Sequence, residues 1–357
     1  MDTPLNGSLR VTSPAPRGVW NELLARDPHS LIFQTPDWTD LMCATGQYTD
    51  ASRLYESANE RRFLLPLVRR KSITPRLSTQ GSLPRNWGLG GLVADSPLHS
   101  DTVRCVFDDL SHQAVLQTVI TPSPLLAPVW ESGRPEGVLC NPRLTHILDL
   151  EGGFEEVWSG RFLSTTRTAI RKAERSNLDV EWDSTGKFLP VFFEIFMDWA
   201  VRRGRERHLP SWLVRWSNAR RDPLERFELI ARTLGEACRV YVARVNHEPV
   251  AATVFLIYGE HAFYYRGTSL REKANPVRAN DMLQCVMIQA ACQAGCRYYH
   301  MGESGGVESL MRFKTGFGAV AYSVSGYSIE RLPLTNVSKG MEGILKRVEN
   351  RLLSRSG

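Results

Sequence analysis

The seven cysteines, Cys43, Cys105, Cys140, Cys238, Cys285, Cys292 and Cys296, form no CxxC pair, which sets aside the common zinc and dithiol motifs. Cys285, Cys292 and Cys296 fall at spacings of seven and four in one expected helix, and an apolar face is preferred there over a metal or redox site. No run approaches the about 20 apolar residues that cross a bilayer. The longest, "PVAATVFLIYG", has a core of only Val250–Tyr258. Residues 1–18, "MDTPLNGSLRVTSPAPRG", lack the apolar centre of a secretory leader and read as a loose tail, so a cytoplasmic location is expected. The sequence also lacks HExxH and the GxxxxGK phosphate loop, and its eight histidines show no metal-ligand spacing. No metal and no bound cofactor are expected.

What is present is an ordinary globular composition, 42% apolar and 23% charged, over 357 residues, long enough for two domains. The net charge of +6 is unevenly spread. Between Arg161 and Arg221 there are 13 Lys/Arg and 7 Asp/Glu, so this segment alone accounts for the excess. It is either a solvated basic face or a contact surface for an anion.

Along the chain, "SLIFQTPDWTDLMCAT" predicts a short extended entry and a helix with Pro36 in its first turn. "RRFLLPLVRRK" reads as a strand, "LHSDTVRCVFDDLSHQA" as a helix, and "AVLQTVI" and "THILDL" as strands. Five prolines between Thr121 and Arg143 suggest a connection. A boundary near Glu151 gives domains at 19–150 and 151–331, with a C-terminal segment at 332–357 whose Met341, Leu345, Val348 and Leu352 share a helix face. Phe154–Asn177 predicts a helix broken around Gly160–Ser164; Lys187–Arg203 and residues 211–234 predict further helices. "CRVYVARV", "PVAATVFLIY" and "HAFYYRGTS" are joined by turns short enough for an antiparallel meander. A helix capped by Asn280 and stopped by Gly295 follows, then the strand "CRYYHMGE", the helix "VESLMRFKTG" and the strand "AVAYSVSGYSIERL". The pattern is α/β (α+β), a mixed sheet with helices on its faces.

Three features carry candidate chemistry. "RNWGLG", Arg85–Gly90, fits a loose acyl-CoA phosphate-loop pattern, but it leads into "LVADSP" and not into a helix, so an ordinary loop is preferred. Arg167, Arg171 and Arg175 recur every fourth residue beside Lys172, one stripe of a helix. "RRGRERHLPSWLVRWSNARR" interleaves seven arginines, Arg215 among them, with Trp212 and Trp216, a pattern that suits phosphates and stacked bases as well as a solvated face over buried tryptophans. Finally, Lys314 stands between Phe313 and Phe317 near a helix end, where it would either favour the helix dipole or face a substrate.

The ordered set "FQTPDW", "RTAIRKAERSNLDVE", "FYYRGTS", "AGCRYYHMGES" and "MRFKTGFG" resembles the FemAB-type branch of the GNAT acyltransferases over most of residues 31–330. That branch includes the aminoacyl-tRNA-dependent bridge transferases and related cytoplasmic N-acyltransferases. The resemblance implies two GNAT-like domains, each a mixed, mostly antiparallel sheet flanked by helices, with a cleft between them; the sequence departs from the larger bridge enzymes in having no coiled-coil arm. It implies Lys314 at the donor end of an active site, Phe313, Tyr265, Arg266, Ser269 and Trp38 on the substrate side, and Glu303 as the nearest carboxylate to take a proton. His300 stands where the family has Asp or Asn. The expected reaction is amide formation from aminoacyl-tRNA, or alternatively acyl-CoA, onto a primary amine. The expected donor contacts are Arg167, Arg171, Lys172, Arg175, Trp212 and Arg215. A non-catalytic module that binds nucleic acid or an envelope precursor is the competing class.

Overall fold

The structure, a computed structural model, describes residues 9–57, 60–84 and 86–332. The amphipathic helix expected beyond Leu332 lies outside the described residues, as does Arg85. The looseness expected of residues 1–18 does not hold for its later part. Arg10–Thr12 pairs with Arg53–Glu56, and a helix begins at Arg17.

Eleven strands form one mixed sheet. Their spatial order is Leu178–Asp183, Cys238–Val245, Glu248–Tyr258, His261–Ser269, Tyr298–Glu303, Leu139–Asp149, Val320–Glu330, Gln117–Ile120, Thr79–Gly81, Val68–Arg70 and Tyr48–Asp50. A smaller sheet holds Arg10–Thr12, Arg53–Glu56, Arg62–Leu65 and Val93–Ala94. "RRFLLPLVRRK" therefore makes two strands, split at Pro66, that belong to different sheets. Proline donates no ladder hydrogen bond and ends the first strand.

Glu248–Tyr258 is nearly all apolar because it has neighbours on both edges and helices on both faces. Ala252, Val254 and Leu256 join a core with Phe192 and Phe196 of the helix Leu189–Arg205. Ala251 and Phe255 join another with Met287 and Ile288 of the helix Ala279–Gln293. In the N-terminal half, Thr35 caps the helix Pro36–Ala44 by accepting from the Trp38 amide at 3.2 Å, with Pro36 at its first position.

The two halves exchange strands. Each contains one parallel pair, Thr79–Gly81 with Gln117–Val119 and His261–Phe263 with Tyr298–His300. The strand Leu139–Asp149 leaves the first half and its end pairs with Tyr298–Glu303 of the second. Val320–Glu330 returns the exchange, its end pairing with Gln117–Ile120 of the first. The two exchanged strands also pair with each other. One sheet thus runs through position 150 without interruption.

Several local expectations change. The proline-rich stretch before Arg143 contains the helix Ala127–Ser132, and the exchanged strand already begins at Leu139, with Pro142 opposite Ser325. The helix at Ala279 is preceded by Arg278 in a left-handed conformation (φ 56°), while Asn280 bonds to Ser269 instead of capping. Cys296 falls beyond the end of that helix at Gln293. The break expected near Gly160 is a π-helical turn, Val157–Arg161, before the helix Ser164–Glu174.

Candidate active site

In the second half, parallel pairing stops at Phe263 and His300, yet one strand continues to Ser269 and its neighbour to Glu303. The strands part, and a cleft of about 2250 Å³ opens at the wedge between them and reaches across to the first half. Tyr265, Arg266, Ser269, Glu303, Phe313 and Lys314 all line it. These six residues, dispersed over 50 positions of sequence, are brought together.

Lys314 is only 3% exposed. It lies in the last turn of the helix Glu308–Gly316, but its ammonium does not cap that helix. It donates to the backbone carbonyls of Gly302 at 2.7 Å and Glu303 at 2.8 Å, the end of the neighbouring strand. Gly302 takes a left-handed φ of 73°, where the register of that strand slips, a conformation that favours glycine. Of the three ammonium protons two are committed, leaving one for the cleft. Burial lowers the pKa of Lys314 to about 8, against a smaller upward pull from Glu303. Phe317 is fully buried against Phe162, whereas Phe313 faces the cleft, so the two rings beside the lysine have different roles.

Glu303 accepts from Arg143 Nη1 at 3.0 Å and remains half exposed at the cleft wall. Tyr265 is held by its hydroxyl, which receives Arg226 Nη2 at 2.7 Å and donates to the Asn86 carbonyl at 3.2 Å. Arg226 is buried over the Trp87 ring, 3.9 Å from its centroid, and pairs with the buried Asp222 at 2.5 Å. Asp222 also meets Arg221 at 3.2 Å and Arg266 at 3.6 Å. A single buried carboxylate therefore steadies three guanidiniums at the cleft wall. Ser269 Oγ accepts from Asn280 Nδ2 at 3.2 Å.

His300 also lines the cleft, and its Nε2 lies 3.0 Å from His261 Nδ1. His261 Nε2 lies 3.3 Å from the Pro28 carbonyl, which can only accept. Both rings are buried, and burial lowers both pKa values, that of His261 to about 4. The neutral pair must then donate in sequence from His300 to His261 to Pro28, leaving His300 Nδ1 a bare acceptor with no protein partner.

Other candidates sit elsewhere. Trp38 is fully buried, edge-on to Phe33 and Tyr265, and lines no part of the cleft; it supports Tyr265 from beneath. Arg167 donates to the carbonyls of Trp158, Ser159 and Phe162, closing the π-helical turn. Arg171, Lys172 and Arg175 are exposed on the outer face of their helix, Arg171 near the Trp158 ring. Trp212 and Trp216 are exposed, and Arg215 pairs with Asp198 at 3.1 Å. None of these lines the cleft.

The cleft takes its charge partly from the tryptophan-interleaved segment, through Arg202, Arg203 and Arg220, and partly from residues the sequence reading did not single out, Arg232, Arg271, Arg143 and Arg226. The sequence signal was the Asp222–Arg226 pair in "RRDPLERF", four residues apart at a proline-started helix. A second cavity of about 930 Å³ shares Arg202, Arg271, Asn280 and Phe313 with the cleft and adds Arg278 and Asp281 at the start of the helix Ala279–Gln293. Among the described residues no group of His, Cys, Asp or Glu is placed to hold a metal ion. Gly88 and Gly90 of the glycine loop lead to the strand Val93–Ala94, with the Phe33 ring where a Cβ on Gly88 would sit. The loop's own chain runs on into a strand and not into a helix, so it lacks the loop-to-helix continuity of a phosphate loop.

With this geometry in place, comparison adds the following. Residues 160–315 match the family model described as an acetyltransferase (GNAT) domain. The FemX crystal structure matches with a TM-score of 0.68 at 13% identity, covering 92% of this chain and 99% of that one. The C-terminal domain of a putative lysylphosphatidylglycerol synthetase from Agrobacterium fabrum matches at TM-score 0.52 and 13% identity, over 91% and 94%. L-PGS from Bacillus licheniformis matches at 0.50 and 12%, over 95% and 97%. No curated protein sequence matches the chain.

Proposed function

We propose, for a chain that carries a GNAT acyltransferase domain within a FemAB-type fold, that it moves an aminoacyl group from aminoacyl-tRNA onto a primary amine of an envelope precursor or small peptide. The observation that carries this reading is Lys314, a buried ammonium with two protons fixed on strand-end carbonyls and the third free at a deep cleft.

The chemistry follows from that placement. The amine nitrogen attacks the ester carbonyl carbon, and the carbonyl oxygen becomes an oxyanion. Lys314 stabilises that charge from a buried position, where a fixed donor acts more strongly than one in bulk water. Collapse breaks the bond from carbon to the ribose oxygen and forms the amide. The proton lost by the amine ends on the departing hydroxyl, with the Glu303 carboxylate as its nearest relay. Tyr265, held by Arg226 and Asn86, and Arg266, held by Asp222, shape the acceptor wall.

The arginines of the cleft suit a polyanionic donor, and the resemblance to aminoacyl-tRNA-dependent bridge transferases favours the ester. Acyl-CoA is the second reading, favoured by one observation. The smaller cavity sets Arg202, Arg271 and Arg278 at a helix N-terminus, which attracts a pyrophosphate as readily as an RNA phosphate. RNase treatment of a coupled reaction separates them. Loss of product identifies tRNA; undiminished product with acyl-CoA identifies the thioester.

A further inference from the structure

Trp212 is 70% exposed and Trp216 is 56% exposed. They lie four residues apart in the helix Ser211–Arg221, on one face, and the exposed Leu209 precedes them. The inward face of that helix is supplied by Val214 and Asn218, so packing has no use for these indoles. A second bare apolar tip follows the strand Val68–Arg70, where Ile73 is 99% exposed and Leu77 58%.

Both tips border the same cleft, through Arg70 beside one and Arg220 and Arg221 beside the other. Both are set in positive charge. Residues 69–77 contain four Lys/Arg and no carboxylate, and residues 202–221 contain seven arginines with Glu206 as the lone acid. Arg220 lies over the Trp216 ring, 5.2 Å from its centroid.

The apolar partners choose between the anions that such charge attracts. A nucleic acid stacks on tryptophan and pairs with arginine, but it has no use for a bare isoleucine and two bare leucines. An anionic bilayer uses all three kinds of side chain: indoles at the headgroup level, aliphatic tips at the acyl boundary, guanidiniums on the headgroups. We propose that this rim docks on an anionic lipid surface, with Ile73 and Leu77 on one side of the cleft mouth and Trp212 and Trp216 on the other. Among the described residues no helix is long and apolar enough to cross a membrane, so the contact is peripheral. The docking stands independently of acyl transfer. Its corollary, that the acceptor amine is carried by a membrane-associated molecule, rests on the proposed function.

The test is co-sedimentation of the full chain with phosphatidylcholine vesicles, with and without phosphatidylglycerol. Binding to the anionic vesicles should be tighter by about tenfold or more. The double variants Trp212→Ser/Trp216→Ser and Ile73→Ser/Leu77→Ser should each lose about tenfold, with unchanged melting temperatures because all four side chains are exposed. Brominated lipid should quench wild-type fluorescence more than that of the tryptophan double variant. Wild-type protein that stays in the supernatant overturns the proposal, as do double variants that bind like wild type. Vesicle indifference combined with tRNA binding that the tryptophan variant loses assigns the surface to nucleic acid instead. Vesicle binding is read without turnover, so its failure leaves the acyl-transfer reading standing.

Discussion

Replacing Lys314 with Met should change how stability depends on pH, in a direction set by burial. The folded pKa of about 8 lies below the ordinary 10.5. The unfolded chain therefore binds more protons between those values, and folding is favoured as pH rises through them. Below pH 8 the folded protein holds a cation it would rather lose, a cost of about 3 kcal/mol from the gap between the two values. That cost falls by about 2 kcal/mol between pH 7 and pH 9.5. Other groups titrate in the same range, but the Met variant keeps them all. The useful quantity is the difference in unfolding free energy, wild type minus Lys314→Met, from urea titrations at the two pH values. It should move in favour of wild type by about 2 kcal/mol on going to pH 9.5. Curves parallel to within about 0.5 kcal/mol would refute the argument, because they would mean the ammonium is solvated or is protonated equally in both states.

Activity should follow the same group. Lys314→Ala is expected to lower turnover by about a hundredfold, the effect of losing one oxyanion donor; the wild-type rate should fall on the alkaline side near pH 8 as the ammonium deprotonates, which a pH–rate profile reads directly. Asp222→Asn removes the buried partner of Arg226 and should destabilise the fold by about 3–5 kcal/mol, measurable by thermal unfolding. Gly302→Ala meets no steric obstacle but imposes a left-handed alanine, so stability should drop only about 1–2 kcal/mol while turnover drops further, since the carbonyls that aim Lys314 shift. Glu303→Gln should leave melting unchanged, because its pair with Arg143 is half exposed, and should slow turnover if the carboxylate relays the proton.

The elements of the second half were legible because their signals are local. The meander strands, the helices within residues 211–234 and the helix carrying Lys314 follow from periodicity and punctuation within a few residues. The strand exchange was not legible. It joins residue 140 to residue 327 and residue 149 to residue 298, and no local pattern records such a pairing. Pro142 even argued against a strand, yet it is accommodated opposite Ser325. The arginines of the cleft escaped for a related reason. Arg171 and Arg175 make a visible stripe because helix periodicity displays them, whereas Arg143, Arg232 and Arg271 come from three separate elements that only the closed sheet brings together. Trp38 shows the converse: its motif was visible, but its burial depends on Trp87 and Tyr265 arriving from distant segments to join the local Phe33.

The placement of Lys314 favours one of the two readings that its sequence position left open. A lysine in a helix's last turn needs only to lean over its own free carbonyls to favour the dipole, and it would stay wet while doing so. This one turns away to the carbonyls of Gly302 and Glu303, on a strand end that Gly302 must bend into a left-handed conformation to present them. Burial there costs stability that a methionine would not cost, and dipole capping gives no reason to incur it. A fixed, partly desolvated donor at a cleft does give one, because its field acts on charge that develops nearby without waiting for water to reorient. In the proposed reaction, the same wedge, left open where His261–Phe263 and Tyr298–His300 stop pairing, gives both the space for the reacting carbonyl and the strand end that aims the lysine.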